Sequence, residues 1–338
     1  MTQQPASRTT PTSADVARRA GVSRATVSYV LNDSATGRVS EQTRKRVREA
    51  AEELGYVPHA AARALRAGHT GIVLLTMPEL VFGPLFNSFL TELRNALRTL
   101  GYPIAVYADS GTAEAAASWA ELRPTAVLVG AGSGITPRGV ELLRRSGTRA
   151  VLTIGGEPVE GAHSLMLDQI QIGTVAAAHL LSRGHRRIGA IVPADPGLGF
   201  FSRPRLEGLR AAYAEHGGPG SRVEPLPLDY TEQSAAQLAA GWRESGLSAL
   251  FTYNDEYALL LLSAFQDAGL RIPEDVALVG ADDVLLARLT RPRLTTVRLE
   301  IPDGARLAQL IDRLIRNPDT PPELHTLGAS HIVVRDSG

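Results

Sequence analysis

Between Ser23 and Tyr29 the chain reads Ser-Arg-Ala-Thr-Val-Ser-Tyr, which sets three hydroxyls, one guanidinium and one phenol among small residues. A guanidinium can bridge two acceptors on the edge of a guanine, and hydroxyls can be held against phosphate oxygens. A second set of chemistry-bearing residues follows apolar runs. Asn254 and Asp255 come after LFTY, Asp282 and Asp283 after VALVGA, and Asp168 after SLML. Paired carboxylates such as Asp255-Glu256 or Asp282-Asp283 could cleave a glycosidic bond, but neighbours in sequence usually point apart, which makes that a weak signal. No G-x-S-x-G elbow, phosphate-binding Walker loop, H-E-x-x-H or spaced histidine cluster is present. Gly130-Ala131-Gly132-Ser133-Gly134 lacks dinucleotide spacing, and His179 and His185 lack ligand spacing. With no cysteine there is no thiolate metal site and no thiol nucleophile. The expectation is a binding protein without metal or cofactor, not an enzyme.

The elements that must position the first set are short helices. Thr12 or Ser13 can cap a helix whose buried stripe is Val16, Ala17 and Ala20, and Thr12 with Asp15 has capping-box spacing. Gly21 supplies a turn that favours a residue without Cβ. Ser23 caps a second helix with Val27, Val30 and Leu31 inward, which leaves Arg24, Ala25, Ser28 and Tyr29 outward. Ser40 caps a third, with Val47, Ala50, Ala51 and Leu54 inward and Gly55 as its stop. Two amphipathic helices about a Gly-Val-Ser turn have the form of a helix-turn-helix. A plain three-helix bundle with a solvated polar face is the alternative. Pro58 and Gly68 bracket a further ten-residue stretch, too short for a stable isolated helix.

From Gly71 onward short apolar runs alternate with helical stretches: IVLLTM, PIAVYA, AVLVGAG, AVLTIGG, RIGAIVP, ALFTYN and VALVGA, with a helix predicted from Arg203 to Gly217. Strands alternating with helices imply parallel sheets covered on both faces, with ligands at the carboxyl ends of the strands. Net charge is zero over 338 residues, but residues 1–70 hold eleven basic and six acidic residues against twenty-four and twenty-nine in the remainder. A basic head on an acidic body suits a nucleic-acid partner. No apolar run reaches membrane-spanning length, and the polar N-terminus is unlike a secretory signal; the expected location is cytoplasmic and nucleoid-associated.

Taken together the motifs resemble the lactose-repressor (LacI/GalR) family of bacterial transcription regulators. They are D-V-A-x-x-A-G-V-S-x-x-T-V-S-x-x-L-N from Asp15 to Asn32, V-S-x-x-T-R-x-x-V from Val39, L-G-Y-x-P from Leu54, G-H-R-R-I from Gly184, N-D-x-x-A from Asn254, and I-P-E-D-V-A-L-V-G-A-D-D from Ile272 to Asp283. The resemblance implies an all-α helix-turn-helix head plus an α/β, two-lobed, periplasmic-binding-protein-like body of two parallel sheets flanked by helices. It implies a head over 1–57 with its first ten or so residues disordered, a hinge over 58–70, and an effector-binding and dimerisation body over 71–338. The lobes fall at about 71–168 with 299–325, and 169–298 with 326–338. Arg24, Ala25 and Tyr29 fall where members contact bases, and Ser23, Thr26, Ser28, Asn32 and Thr43 where they hold phosphates. Many members carry Arg where this chain has Tyr29, so the preference at that base pair should differ. His59, Ala62 and Leu65 map to the hinge, Leu65 to the residue that wedges a central base step. For the effector the resemblance points to Arg205, Asn254 and Asp282, with Asp168 as a neighbour, Phe86 and Tyr230 as aromatic walls, and Leu85 and Ile301 as apolar counterparts. Gly155 stands where the lactose repressor carries a ligand-binding Asp, so that ligand is not transferred. The implied function is a ligand-responsive, sequence-specific transcription regulator, a repressor. It would bind palindromic double-stranded operator DNA as a homodimer under a small polar effector of sugar or nucleoside class. A solute-binding protein or a sugar-acting enzyme is the alternative.

Leu65→Ala should weaken binding to the specific operator far more than binding to random duplex, because the wedge matters only where the step is opened. A gel-shift titration at fixed salt checks this; equal losses on both duplexes would remove Leu65 from that role.

Overall fold

The computed structural model describes residues 11–31, 39–57, 69–78, 83–109, 115–130, 132–155, 157–300 and 303–338. The chain divides after Thr70 into two units. In the first, α1 (Ser13–Ala20), α2 (Arg24–Leu31) and α3 (Glu41–Glu53) enclose Val16, Val27, Val30, Val47, Ala50 and Ala51. Thr12 donates from its amide and its hydroxyl to the Asp15 carboxylate, at 2.9 and 2.7 Å. Gly21 ends α1 in the left-handed region at φ 65°, a conformation that disfavours a Cβ. Ser23 and Ser40 then cap α2 and α3 by accepting from the amides of Thr26 and Thr43. The predicted helix-turn-helix is therefore built from local hydrogen bonds over a core of small aliphatic side chains.

The second unit holds two six-stranded sheets. The first takes β1 (Val73–Pro78), β2 (Ile104–Asp109), β3 (Ala126–Val129), β4 (Ala150–Ile154), β5 (His163–Leu167) and β11 (Leu324–Leu327) in the order β11-β5-β4-β3-β1-β2, all parallel. The second takes β6 (Arg187–Pro193), β7 (Arg222–Leu228), β8 (Ala249–Phe251), β9 (Ala277–Ala281), β10 (Thr295–Leu299) and β12 (Ser330–Val333) in the order β12-β10-β9-β8-β6-β7. Central strands such as Ala126–Val129 and Ala277–Ala281 are buried at every position. That explains why they read as continuous apolar runs rather than alternating ones.

Helices cover both faces. On the first sheet, α4 (Pro84–Thr99) and α12 (Gly304–Arg316) pack on one side through Leu93, Leu97, Leu307 and Ile311. Trp119 of α5 (Ala115–Glu121) and Leu143 of α6 (Pro137–Arg145) cover the other. On the second sheet, α7 (Gln169–Ser182) and α8 (Gly199–His216) lie on one face. The short helices α9 (Glu232–Ala240) and α10 (Trp242–Ser245) lie with α11 (Asp255–Asp267) on the other. Among the described residues no helix is long and apolar enough to cross a membrane.

Two details differ from the sequence reading. β12 runs antiparallel to β10, so the second sheet is not wholly parallel. Only Gly328 and Ala329 separate β11 from β12, so the chain enters the second sheet at its carboxyl ends and must run backwards along β10. Gly328 is at φ 72°, and a Cβ there would meet the Glu300 carbonyl oxygen at 1.6 Å. The second difference is that α8 begins at Gly199, four residues before Arg203, with Pro204 inside it. A proline early in a helix removes a single hydrogen bond, and the helix continues through it.

α7 and α8 approach closely because glycines face each other's backbone. A Cβ on Gly173 would lie 1.9 Å from the Arg205 carbonyl oxygen, and one on Gly208 2.1 Å from that of Ile170. Gly173→Ala should therefore force the helices apart and destabilise the body by about 1–3 kcal/mol or more, the usual range for overpacking. Urea denaturation checks this; an unchanged midpoint would show that the two helices can separate at no cost.

Candidate functional site

On the head, Ser23, Arg24 and Ala25 are exposed at the start of α2, Thr26 and Ser28 are half-buried, and Tyr29 is 43% exposed. No acidic residue interrupts this helix. The Ser23 and Thr26 hydroxyls lie 2.9 Å apart, and Thr43 lies beside the Ser40 hydroxyl and within reach of Arg46. The amino end of a helix favours anions, so hydroxyls, an arginine and free space there suit a phosphate backbone. Asn32, His59, Ala62 and Leu65 lie outside the described residues.

In the body a cavity of about 600 Å³ opens at the carboxyl ends of both sheets. Its most buried polar members are Arg205, on α8, and Gln169, on α7, each 5% exposed. The guanidinium donates through Nε to Gln169 Oε1 at 2.8 Å and through Nη1 to the Tyr253 carbonyl, and its carbon lies 5.1 Å from the centre of the Tyr253 ring. Its third nitrogen faces Asp282 Oδ1 at 3.6 Å. Burial pushes the Asp282 carboxyl above its ordinary range, with Arg205 opposing. Asp282 sits at φ 105° and Asp283 at φ 51°, both in the region that L side chains rarely adopt. Asp282 faces the cavity, whereas Asp283 is buried among Arg288, Arg298 and Arg335.

Asn254 lines the cavity and caps α11, accepting from the Tyr257 amide at 3.0 Å, while its Nδ2 donates to Glu256 at 3.2 Å. Glu256 reaches toward the opposite lobe, since a Cβ on Gly83 would lie 2.8 Å from its Oε2. Burial raises the Glu256 carboxyl. The Tyr230 ring lies 4.9 Å from that of Tyr257, tilted by 48°, and the Tyr257 ring meets Tyr253 edge-on at 5.7 Å. Leu85 and Phe86 line the cavity from α4. Asp255 is fully buried behind the site, accepting from Thr296 Oγ1 at 2.6 Å and from the Val284 amide at 2.9 Å. Burial, reinforced by Asp282 and Asp283, raises its pKa to about 8 against those two hydrogen bonds.

Of the candidates read from the sequence, the structure brings Leu85, Phe86, Arg205, Tyr230, Asn254 and Asp282 to one cavity. Asp168 is a correction. It is exposed, caps α7 by accepting from the Gln171 amide at 2.9 Å, and lies outside the lining, while its neighbour Gln169 faces in. A one-residue shift at a helix start turns a side chain by about 100°, enough to exchange the two. Ile301 lies outside the described residues. The sequence reading missed Tyr253, Tyr257 and Gln169; it noted Glu256 only as half of a catalytic pair. The available signal was their place beside residues already chosen.

A helix-turn-helix head and a body of two α/β lobes around a ligand-sized cavity define a DNA-binding protein with a binding-protein-like domain. Residues 12–59 match the family model of bacterial regulatory proteins of the lacI family, and residues 177–338 that of a periplasmic binding protein-like domain. The transcriptional repressor PurR of Photobacterium profundum is 30% identical over 294 residues, covering 84% of this chain and 85% of that protein. Among solved structures, a LacI-family regulator from Silicibacter pomeroyi superposes with a TM-score of 0.79 at 26% identity, covering 97% of this chain and 99% of that one. The regulator CelR in complex with cellobiose gives 0.64 at 29%, covering 97% and 100%. The chain belongs to the LacI family: it is a DNA-binding regulator of transcription rather than an enzyme.

Arg205→Ala should leave Gln169, the Tyr253 carbonyl and Asp282 without their shared donor and destabilise the body by about 1–3 kcal/mol. Pairing it with Asp282→Asn should recover part of the loss in thermal melts; no recovery would show that the two do not interact. Asp255 is protonated in the native state up to about pH 8, whereas its unfolded carboxyl ionises near 3.8. The native state therefore holds the extra proton between those values, and this contribution to stability declines as pH rises across the window. Asp255→Asn should abolish that part of the slope, as denaturation at pH 5 and pH 8 would reveal.

Proposed function

We propose that this regulator is a homodimeric repressor of a palindromic operator. A small polar effector of sugar or nucleoside class would control it from the inter-lobe cavity. The observation that carries the reading is the cavity itself. Its lining comes from both sheets, at the carboxyl ends where α/β folds bind ligands, and it contains a buried Arg205 oriented toward Asp282. A ligand touching both walls stabilises one inter-lobe angle over another. The CelR–cellobiose complex supports the sugar class.

In this reading the head spans 1–57, the hinge 58–70 and the body 71–338. Arg24, Ala25 and Tyr29 read bases; Ser23, Thr26, Ser28, Asn32 and Thr43 hold phosphates; and His59, Ala62 and Leu65 meet the minor groove. Leu85, Phe86, Arg205, Tyr230, Asn254, Asp282 and Ile301 surround the effector. Effector binding changes whether the paired hinge segments fold on DNA, and a coupling of about 1–3 kcal/mol shifts operator affinity about 5–150-fold. The site of action is the cytoplasmic nucleoid.

The test is selection of binding sites from a random duplex pool by the purified protein, followed by operator titrations against a library of sugars and nucleosides. The expected outcome is a palindromic site, with no guanine specified opposite Tyr29, and at least one compound that shifts affinity. A protein that enriches no sequence, or whose operator affinity no compound moves, would defeat the proposal.

A further inference from the structure

Asp282 reaches the cavity from a turn that its own residues would not hold. It and Asp283 follow one another at φ 105° and 51°. Such conformations are costly for any residue with a Cβ and persist only where the surroundings impose them. Here the neighbours impose them residue by residue. The Asp282 amide donates to the Val297 carbonyl at 2.8 Å, the Asp283 amide to Thr296 Oγ1 at 3.4 Å, and the Val284 amide to the Asp255 carboxylate at 2.9 Å. β10 and α11 thus fix three successive amides of the turn.

The Asp283 side chain supplies a fourth hold. It is 1% exposed and lies outside the described cavity lining. Its carboxylate accepts from Arg298 Nε on β10 at 2.7 Å, from Arg288 of the single-turn helix Leu285–Arg288 at 3.1 Å, and from Arg335, which follows β12. Arg335 is itself fixed, since it donates through Nη1 to the Leu294 carbonyl at 2.7 Å and through its amide to Thr295 Oγ1 at 3.0 Å. Burial raises the Asp283 carboxyl, but the hydrogen bonds from Arg335 and Arg298 outweigh burial and hold it below its ordinary range. One buried carboxylate facing three guanidiniums has more partners than neutrality requires, and they approach it from three segments of chain.

Resting on the reading of this cavity as an effector site, we propose that Asp283 is a positioning residue for the effector: through Arg288, Arg298 and Arg335 it holds the strained turn in the conformation that delivers the Asp282 carboxylate to the cavity beside Arg205. Asp283 itself does not touch the effector. Without its anchor the turn relaxes toward negative φ, which redirects the Asp282 side chain away from Arg205. The competing account is that Asp283 only ties β9, β10 and the segment after β12 together. Its loss would then lower stability and leave the cavity as it is.

The test uses the full chain with isotope-labelled arginine and follows the Arg205 Nε–H signal by NMR. That signal is assigned by its loss in Arg205→Lys, and Asp282→Asn shows where it moves once the carboxylate charge is gone. Asp283→Asn is expected to move it in the same direction. So is the double variant Arg288→Gln/Arg298→Gln, which leaves Arg335 paired with Asp283 and removes only the two half-exposed anchors. Removing positive charges acts on Arg205 with the sign opposite to removing a negative one. Movement of the double variant in the Asp282→Asn direction therefore reports the turn and not the lost charges. Any sugar or nucleoside that shifts the parent's operator affinity should act on the double variant only at roughly tenfold higher concentration, the cost of about one hydrogen bond. An Arg205 signal at its parent position in folded variants with lowered melting temperatures would overturn the proposal. Movement in Asp283→Asn but not in the double variant, or unchanged potency of such a compound, would also overturn it. If no compound acts on the parent, the effector reading fails alone, and the Arg205 signal still decides whether Asp283 positions Asp282.

Discussion

The Arg205 guanidinium is the point at which the second lobe is tied together. One side chain on α8 touches the start of α7 through Gln169, the end of β8 through the Tyr253 carbonyl, and the end of β9 through Asp282. A buried charge is tolerated only when its donors are satisfied, so three separate strand and helix ends must converge to within hydrogen-bond or ion-pair distance of it. The glycines between α7 and α8 make that convergence possible. Without the close backbone approach at Gly173 and Gly208, α8 could not carry Arg205 deep enough to reach Gln169. The cavity follows from this arrangement, because the side chains left over at the same strand ends point into the space between the lobes.

The two lobes repeat one plan. Each sheet places its first strand between its second and third, which puts the change of winding direction, and with it a crevice, at the carboxyl ends. Two such crevices face each other across a single cavity. Asp255 stabilises the second lobe from behind, and its Oδ1 would lie 2.2 Å from a Cβ on Gly280. That glycine leaves room for a carboxyl group that accepts from Thr296 and Val284.

Much of this was legible in the sequence because the signals are local. Caps at Ser23 and Ser40, the Gly21 turn and the spacing of Val16, Val27, Val30 and Val47 depend on residues within a few positions of one another. The continuous apolar runs identified buried parallel strands for the same reason. What escaped the sequence depends on distance. The direction of β12 is set by where β11 leaves the other sheet, about which the residues Ser330–Val333 themselves say nothing. At Asp168 and Gln169 which of two adjacent side chains enters the cavity depends on the phase with which α7 docks on α8. Tyr253 and Tyr257 flank the chosen Asn254, but whether an aromatic beside a strand end faces inward is decided by packing.

The link through Gly328 and Ala329 bears on how the body can deform. The Glu300 amide donates to the Ala329 carbonyl at 2.9 Å, and the Ser330 amide donates to Gln171 at 2.8 Å, so the two-residue link is held to the end of β10 and to the first turn of α7. A strap only two residues long cannot stretch, and Gly328 is wedged over the Glu300 carbonyl. Sliding one lobe past the other would tear this lacing, whereas pivoting about it costs only small backbone rotations. Of the two motions, a tilt about the strap is the one that leaves these hydrogen bonds in place, so the strap favours rocking of the lobes over sliding.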